Sequence, residues 1–405
     1  MAPWVERIRL GETNVLTSDP VLRLVPTSGT AAAVKVIPWT VGLQRGVMAA
    51  IGPWVRDLAR TYDGVLDGPA YWAVSPPATT SQTAGPVPIG FADDTAWLGR
   101  CIGPLVARAL AVPPHDPALR DPQRWLTATA THLRACRDLR LISAWHPSFV
   151  GLILDHLGVP SSGADLRAWW PRLAAVSCWA DGPASAPAAQ LAARIAPVPL
   201  APKGLLATEG VTTIPFGGSN RLALTSHVIE VLDADGRCHW AHELQPGMRG
   251  EVVLTNGGGL WRYRTGDLVE VMGRHGRAPS LVFRGRRGQV HDLAGEKIDE
   301  ALVAEALAVA GVRAGFAALR PDPAHRPARW QLVLDMGETD PSGAALAVEA
   351  ALCRCVHYDL ARRLGQLAPL AAVVDPRSAA AIVAELAAAC GAQVGAFKPP
   401  VLLSA

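Results

Sequence analysis

The sequence predicts an α/β protein. A large layered N-terminal domain spans residues 1–286, a β-barrel-like subdomain lies inside it at about 221–286, and a small α+β C-terminal domain spans 287–405. Three observations predict this. Strand-like and helix-like runs alternate through the first 220 residues, the pattern of a layered α/β region. The next stretch, up to residue 286, is almost wholly β, and from Arg287 the order becomes α-β-β-α-β. The 405 residues, half of them hydrophobic and 18% charged, are enough for two or three cores and exclude a disordered chain.

In chain order, "LRLVP" and "AYWAVS" read as strands, and "VGLQRGVMAAIGPWVRDLART" and "PSFVGLILDHLG" as helices. The Pro-Gly-Ser stretches at 75–90 and 180–188 read as loops. "LALTSHVIEVLD", "GEVVLTN", "LWRYRTGDLVEVMG" and "SLVFRG" are strands, separated by the turn signals "DADG", "NGGG" and "RHGR". In "IDEALVAEALAVAG", Ile298, Leu302 and Ala306 recur at spacing four, which predicts a helix. "AGFAALRP" and "RWQLVLDM" follow as strands. A long helix is then expected, with Leu352, Val356, Leu360 and Leu364 on one stripe. "LAAVVD" is a further strand and 377–390 a final helix.

Net charge is +3 with no dense Lys/Arg block, so nucleic acid is not an expected partner. No apolar run reaches the roughly 18 residues of a membrane span. The N-terminus has no signal-peptide core, and seven scattered cysteines fit a reducing compartment. A cytoplasmic monomer is expected. Cys353, Cys355 and His357 cluster in sequence, but no second ligand pair accompanies them and no zinc site is expected.

Four stretches carry possible chemistry. In "VPTSGTAAAVKVIP", Gly29 lets the backbone approach a bulky anion. Thr27, Ser28 and Thr30 add hydroxyls and Lys35 a mobile charge; the same residues also suit a plain surface loop. Glu209 in "LLATEG" is either a solvated loop carboxylate or a hard oxygen ligand for Mg²⁺. Asp267 in "LWRYRTGDLVEV" is either a turn residue or a carboxylate that takes both hydroxyls of a ribose. Arg286 in "FRGRRGQV" is either part of a basic linker or a ribose and phosphate contact at a hinge. Lys398, in the terminal "GAFKPPVLL", reads on its own as a tail lysine.

Taken together and in order, "PTSGTAAAVKVIP", "LLATEG", "LWRYRTGD", "FRGRRGQV...GEKIDE" and "AFKPP" resemble the adenylate-forming superfamily of acyl ligases. Within it, "SAWHPSFVGLILDHL", "VSCWADG" and the terminal "FKPP" are similar to the auxin- and jasmonate-conjugating acyl-acid amido synthetases and their bacterial relatives. The resemblance implies ATP and Mg²⁺ as cofactors, with a carboxylic acid and an amine or amino acid as substrates. It implies that Thr27, Ser28, Gly29, Thr30 and Lys35 hold pyrophosphate. Thr208 and Glu209 would meet AMP and Mg²⁺, Asp267 the ribose, and Gly182 would pass beside the adenine. Arg286 would lie near a hinge, and Lys398 would ride on a mobile C-terminal domain. Trp145, His146, Phe149 and Trp179 become candidate walls for the acid.

The sequence also departs from that family. Ala31 and Ala32 follow Thr30 where Thr and Gly are usual, Leu205 stands where an adenine-stacking Tyr is common, and only about 25 residues precede the loop, a shortened N-terminus. The resemblance leaves two alternatives, transfer of the acyl group to CoA or a carrier-protein thiol, and a non-catalytic nucleotide-binding homologue.

Overall fold

The computed structural model describes residues 2–26, 36–72, 85–91, 98–114, 116–121, 124–160, 163, 165–286, 290–312, 314–337, 340–389 and 400–403. These divide into two compact units that meet in sequence at Arg287–Gly288. The predicted loops at 27–35 and 391–399, with Thr27, Ser28, Gly29, Thr30, Lys35 and Lys398, lie outside the described residues.

The first unit opens with the helix Ala2–Arg9, followed by antiparallel strands Val21–Pro26 and Val36–Thr40. Thr40 then caps the helix Val41–Thr61: its Oγ1 accepts the Leu43 N–H at 3.1 Å and donates to the Gly257 carbonyl at 2.9 Å. The helix continues through Pro53. Four parallel strands follow in sequential order, Ala70–Trp72, Leu141–Ser143, Ala175–Trp179 and Leu200–Lys203. Helices connect them, as parallel pairing requires. Leu141, Ala175 and Ala201 turn to one face, where Leu58 of the 41–61 helix packs on them. The stretch 180–188, expected to be loop, instead enters the helix Ser185–Ile195. Pro187 is tolerated there because the first turn of a helix has no N–H acceptors to lose.

A seven-stranded antiparallel sheet completes this unit and curls into a half-barrel. Its order is Cys238–Trp240, Val228–Leu232, Arg249–Thr255, Tyr263–His275, Ala278–Arg286, Ser219–Leu222 and Thr213–Phe216. Register shifts at 251/253, 268/269 and 271/273 bend it. Alternation is clean on the longest strand, where Thr265, Asp267, Val269 and Val271 are all buried. Val269 and Val271 join Leu222, Ile229, Val231, Val252, Leu254 and Leu281 in one core, and each such side chain contributes about 1.5–3 kcal/mol on burial.

The second unit has a three-stranded sheet. Ala317–Asp322 runs antiparallel to Arg329–Leu334, which runs parallel to Ala371–Val374. The chain end is tied to its edge: the Leu319 N–H donates to Val401, and the Leu403 N–H to Leu319, both at 2.8 Å. Asp299 caps the helix Glu300–Val309 through the Leu302 N–H at 2.8 Å. Glu296 is fully buried, and it accepts from the Leu293 and Ala294 N–H groups and from the Trp330 indole at 2.7–2.9 Å.

The expected long helix through Leu352–Leu364 is two helices, Pro341–Leu352 and Val356–Arg363. The break at 353–355 lets the second helix fold back, so that the Tyr358 hydroxyl reaches Glu349 at 2.8 Å and Arg362 pairs with the same carboxylate. Tyr358 and Ala361, not Val356 and Leu360, are therefore the buried residues of that helix.

Candidate active site

The sequence motifs of the first unit converge on three adjacent strands. "LLATEG" folds as a tight hairpin of Leu206–Ala207 and Gly210–Val211. Its base is closed by the Leu205 N–H on Thr213 Oγ1 at 2.8 Å and by the Thr212 N–H on the Leu205 carbonyl at 2.9 Å. Its tip is anchored by Asn256 Nδ2, which donates to the Glu209 carbonyl at 2.6 Å. Glu209 is buried and Thr208 half-buried. Asn256 follows directly on the strand Arg249–Thr255.

Asp267 belongs to the neighbouring strand, Tyr263–His275, and is 5% exposed. Its N–H donates to Thr265 Oγ1 at 3.1 Å, and that hydroxyl donates to the Val252 carbonyl at 3.1 Å. Gly266 takes a left-handed φ of 83° beside it. Asp267 is not a hairpin tip; it sits mid-strand, paired in register with Arg286. The strand 278–286 also supports the third motif. Asp181 accepts from Asn220 Nδ2 at 2.8 Å and from the Phe283 N–H, and burial raises its carboxyl above the usual range. Gly182 has φ 56°, and a Cβ there would lie 2.8 Å from the Phe283 ring. Only glycine lets this backbone pass so close to that strand.

The four aromatic-region residues separate. Trp145 and Trp179 stand together, with ring centroids 5.5 Å apart. His146 caps the helix Pro147–His156, its Nδ1 facing the Ser148 hydroxyl at 2.7 Å. Phe149 packs on Trp125 at 4.9 Å in the core. A residue that the sequence did not reveal joins the tryptophans. Lys203 is buried, donates to Ser143 Oγ at 2.8 Å, and has its ammonium 4.5 Å from the Trp145 ring centroid and 5.8 Å from that of Trp54. Lone in "PLAPKG", it has no spacing partner in sequence; only the register Trp179↔Lys203 brings it to the site. Cys178, next to Trp179 on the strand Ala175–Trp179, faces the other side of the sheet, where burial pushes its thiol up to about 12, so it stays protonated and is no nucleophile.

Residues 1–158 match the GH3 family N-terminal domain and residues 228–286 match the GH3 family central domain, together more than half of the chain. The chain belongs to the GH3 family. Among curated GH3 relatives, the indole-3-acetic acid-amido synthetase GH3.4 of Arabidopsis thaliana is 31% identical over 117 residues, 26% of this chain and 20% of the relative. The matched stretch spans less than a third of the length of each curated relative.

The GH3 chain is similar throughout to the solved GH3.15 acyl acid amido synthetase in complex with 2,4-DB, with a TM-score of 0.63 at 17% identity, covering 100% of this chain and 84% of that one. It is also similar to 2-hydroxyisobutyryl-CoA ligase in complex with 2-HIB-AMP and CoA, with a TM-score of 0.52 at 14% identity, covering 95% and 74%. The fold is that of adenylate-forming enzymes.

Proposed function

We propose that this GH3 protein is an ATP-dependent acyl-acid amido synthetase. It activates a carboxylic acid as acyl-AMP and passes the acyl group to an amine, an amino acid by preference. One observation carries the reading: the segments at 181–184, 205–213, 256, 267 and 283–286, far apart in sequence, are held on three neighbouring strands by Asn256, by Asn220 of the next strand in the sheet, and by the Asp267↔Arg286 register.

A nucleotide fits these residues. Asp267 offers a buried carboxylate to the ribose hydroxyls, and the Gly182 backbone gives the adenine a wall without a side chain. Glu209 is a hard oxygen donor suited to Mg²⁺. Among the described residues no group of three His, Cys, Asp or Glu could hold a metal, and magnesium commonly takes one or two carboxylates and completes its shell with water and phosphate. When bound, it supplies charge neutralisation at the phosphates.

The acid's carboxylate oxygen bonds to the α-phosphorus as pyrophosphate leaves. The amine nitrogen then bonds to the acyl carbon, loses its proton and expels AMP. Thr27, Ser28, Gly29, Thr30 and Lys35 are assigned to the leaving pyrophosphate. Lys398 neutralises charge that develops in the first step, carried by residues 287–405 acting as a lid.

ATP–pyrophosphate exchange over a panel of acids tests the first half, and AMP release on adding amino acids or CoA tests the second. Exchange that depends on an acid, with amide rather than thioester formed, is expected. Lys398→Ala is expected to abolish exchange while ATP still binds, because the lysine acts on the transition state. Full exchange in that variant, or none with any acid in the parent protein, refutes the assignment.

A further inference from the structure

The C-terminal ends of the parallel strands carry a polar-aromatic box. Ser143, Ser177 and Ala201 are paired in register, so they form one row on the sheet face. The next row on the same face is Trp179 and Lys203, and Trp145, just past the end of its strand, stands beside Trp179. Trp179 pairs with Lys203, and the Trp179 N–H donates to the Trp145 carbonyl at 2.8 Å. Small side chains therefore make a floor, and two indoles and a lysine stand above it. Trp54, on the helix that covers this face, closes the far side.

The floor is polar. The Lys203 ammonium crosses the strand 175–179 to reach Ser143. Ser177 Oγ, between them and 1% exposed as a residue, is a buried hydroxyl with no hydrogen-bond partner among the described atoms. A buried hydroxyl without a partner costs free energy, which a ligand oxygen would recover. Trp145 is 42% exposed, so the box opens to solvent on its side. Ligands of open α/β sheets bind beyond the carboxyl ends of the strands, where this box lies. The strand that carries Lys203 runs, five residues on, into Thr208 and Glu209.

We propose that this box receives the end of the acid substrate remote from its reacting carboxylate, and that it selects flat acids bearing a second acceptor oxygen there. Lys203 and Ser177 donate to that oxygen, and Trp145 and Trp179, in contact with each other, line one side of the flat body. The inference rests on the amido synthetase reading for the position of the reacting carboxylate, but it makes its own claim about specificity.

The test compares benzoate, 4-hydroxybenzoate and terephthalate in acid-dependent exchange, with wild type, Lys203→Met and Lys203→Arg. Expected in wild type is a KM for 4-hydroxybenzoate or terephthalate at least about tenfold below that for benzoate, a difference typical of a well-placed buried donor. Lys203→Met erases this preference, raising the KM for 4-hydroxybenzoate and terephthalate about tenfold more than that for benzoate, while Lys203→Arg retains part of it. Benzoate preferred in wild type, or an equal shift for all three acids in Lys203→Met, overturns the proposal. Quenching of tryptophan fluorescence by the three acids is read in parallel. If quenching shows the same order while no acid supports exchange, the box stands and the activity reading fails. If exchange is robust with acids that neither quench nor depend on Lys203, the activity stands and the box is refuted.

Discussion

His227 offers a sharp stability test. It precedes the strand Val228–Leu232, and its ring fits between two glycines: a Cβ on Gly46 would lie 2.5 Å from the ring, and one on Gly210 would lie 2.8 Å from it. Nε2 is buried without a hydrogen-bond partner among the described atoms, and burial holds the pKa down from 6.5 to about 4. The folded protein thus keeps this ring neutral in a range where the unfolded chain protonates it. Between pH 6.5 and about 4 the unfolded state binds more protons, so stability rises with pH through that window. The contribution is full above pH 6.5 and is lost as the pH falls towards 4. At 1.36 kcal/mol per pH unit the ceiling is about 3 kcal/mol, less whatever the partly solvated ring regains from water. Urea unfolding of wild type and His227→Gln at intervals from pH 4.5 to 7.5, followed by fluorescence, measures it. The stability difference between the two should change by about 2–3 kcal/mol across the range. Parallel curves, or an imidazole that titrates near 6.5 in the folded protein, refute the reasoning.

Asp267→Asn keeps the shape and removes the charge. Nucleotide affinity should fall by about 1.5–3 kcal/mol in calorimetry, with little change in melting temperature; a collapse of melting with unchanged affinity makes Asp267 a structural residue. Gly182→Ala meets a left-handed φ and the Phe283 ring, which together cost at least about 1–2 kcal/mol. A melting temperature lowered by about 2–8 °C should show it, since each kcal/mol is worth about 2–4 °C in a unit of this size. Glu349→Ala strands the Tyr358 hydroxyl, the Leu370 N–H and Arg362, so the C-terminal unit should lose about 2–4 kcal/mol in urea; an unchanged midpoint argues against the folded-back helix. Chelation with EDTA should stop exchange but move the melting temperature by no more than about 2 °C, because no described cluster makes folding depend on a metal.

The layers were legible where side-chain period and turn chemistry agree. The half-barrel shows this best: "DADG", "NGGG" and "RHGR" each fall at a strand end, and Asp233 accepts the N–H groups of Asp235 and Arg237 as turn aspartates do. Sequence reading failed where a local pattern continues through a tertiary event. Leu352, Val356, Leu360 and Leu364 keep helical spacing across 353–355, but the Glu349 carboxylate draws Tyr358 and Arg362 back on themselves, and spacing alone carries no trace of that pull. At 180–188 the Pro and Gly residues signalled a loop, although Pro187 merely occupies a first turn. Lys203 was invisible for a different reason. A lone lysine in a strand-like run reads as an edge charge, and its burial follows from pairing with Trp179 and from a helix 140 or more residues earlier in the chain.

The hairpin at 206–211 is closed at its neck by Leu205, Thr212 and Thr213 before its tip begins. A loop clamped at the base pays its closure entropy once, at the neck, and the tip inherits a fixed starting point. The neck also leaves no slack at Gly204, where a Cβ would lie 2.1 Å from the Thr213 carbonyl oxygen. Natural variation should therefore be held tightly at 204 and 213 by the geometry of the neck, whereas the tip answers only to its chemistry. Such a division makes the tip a cassette: its chemistry can be rewritten residue by residue while both sheets, joined through the neck, keep their places.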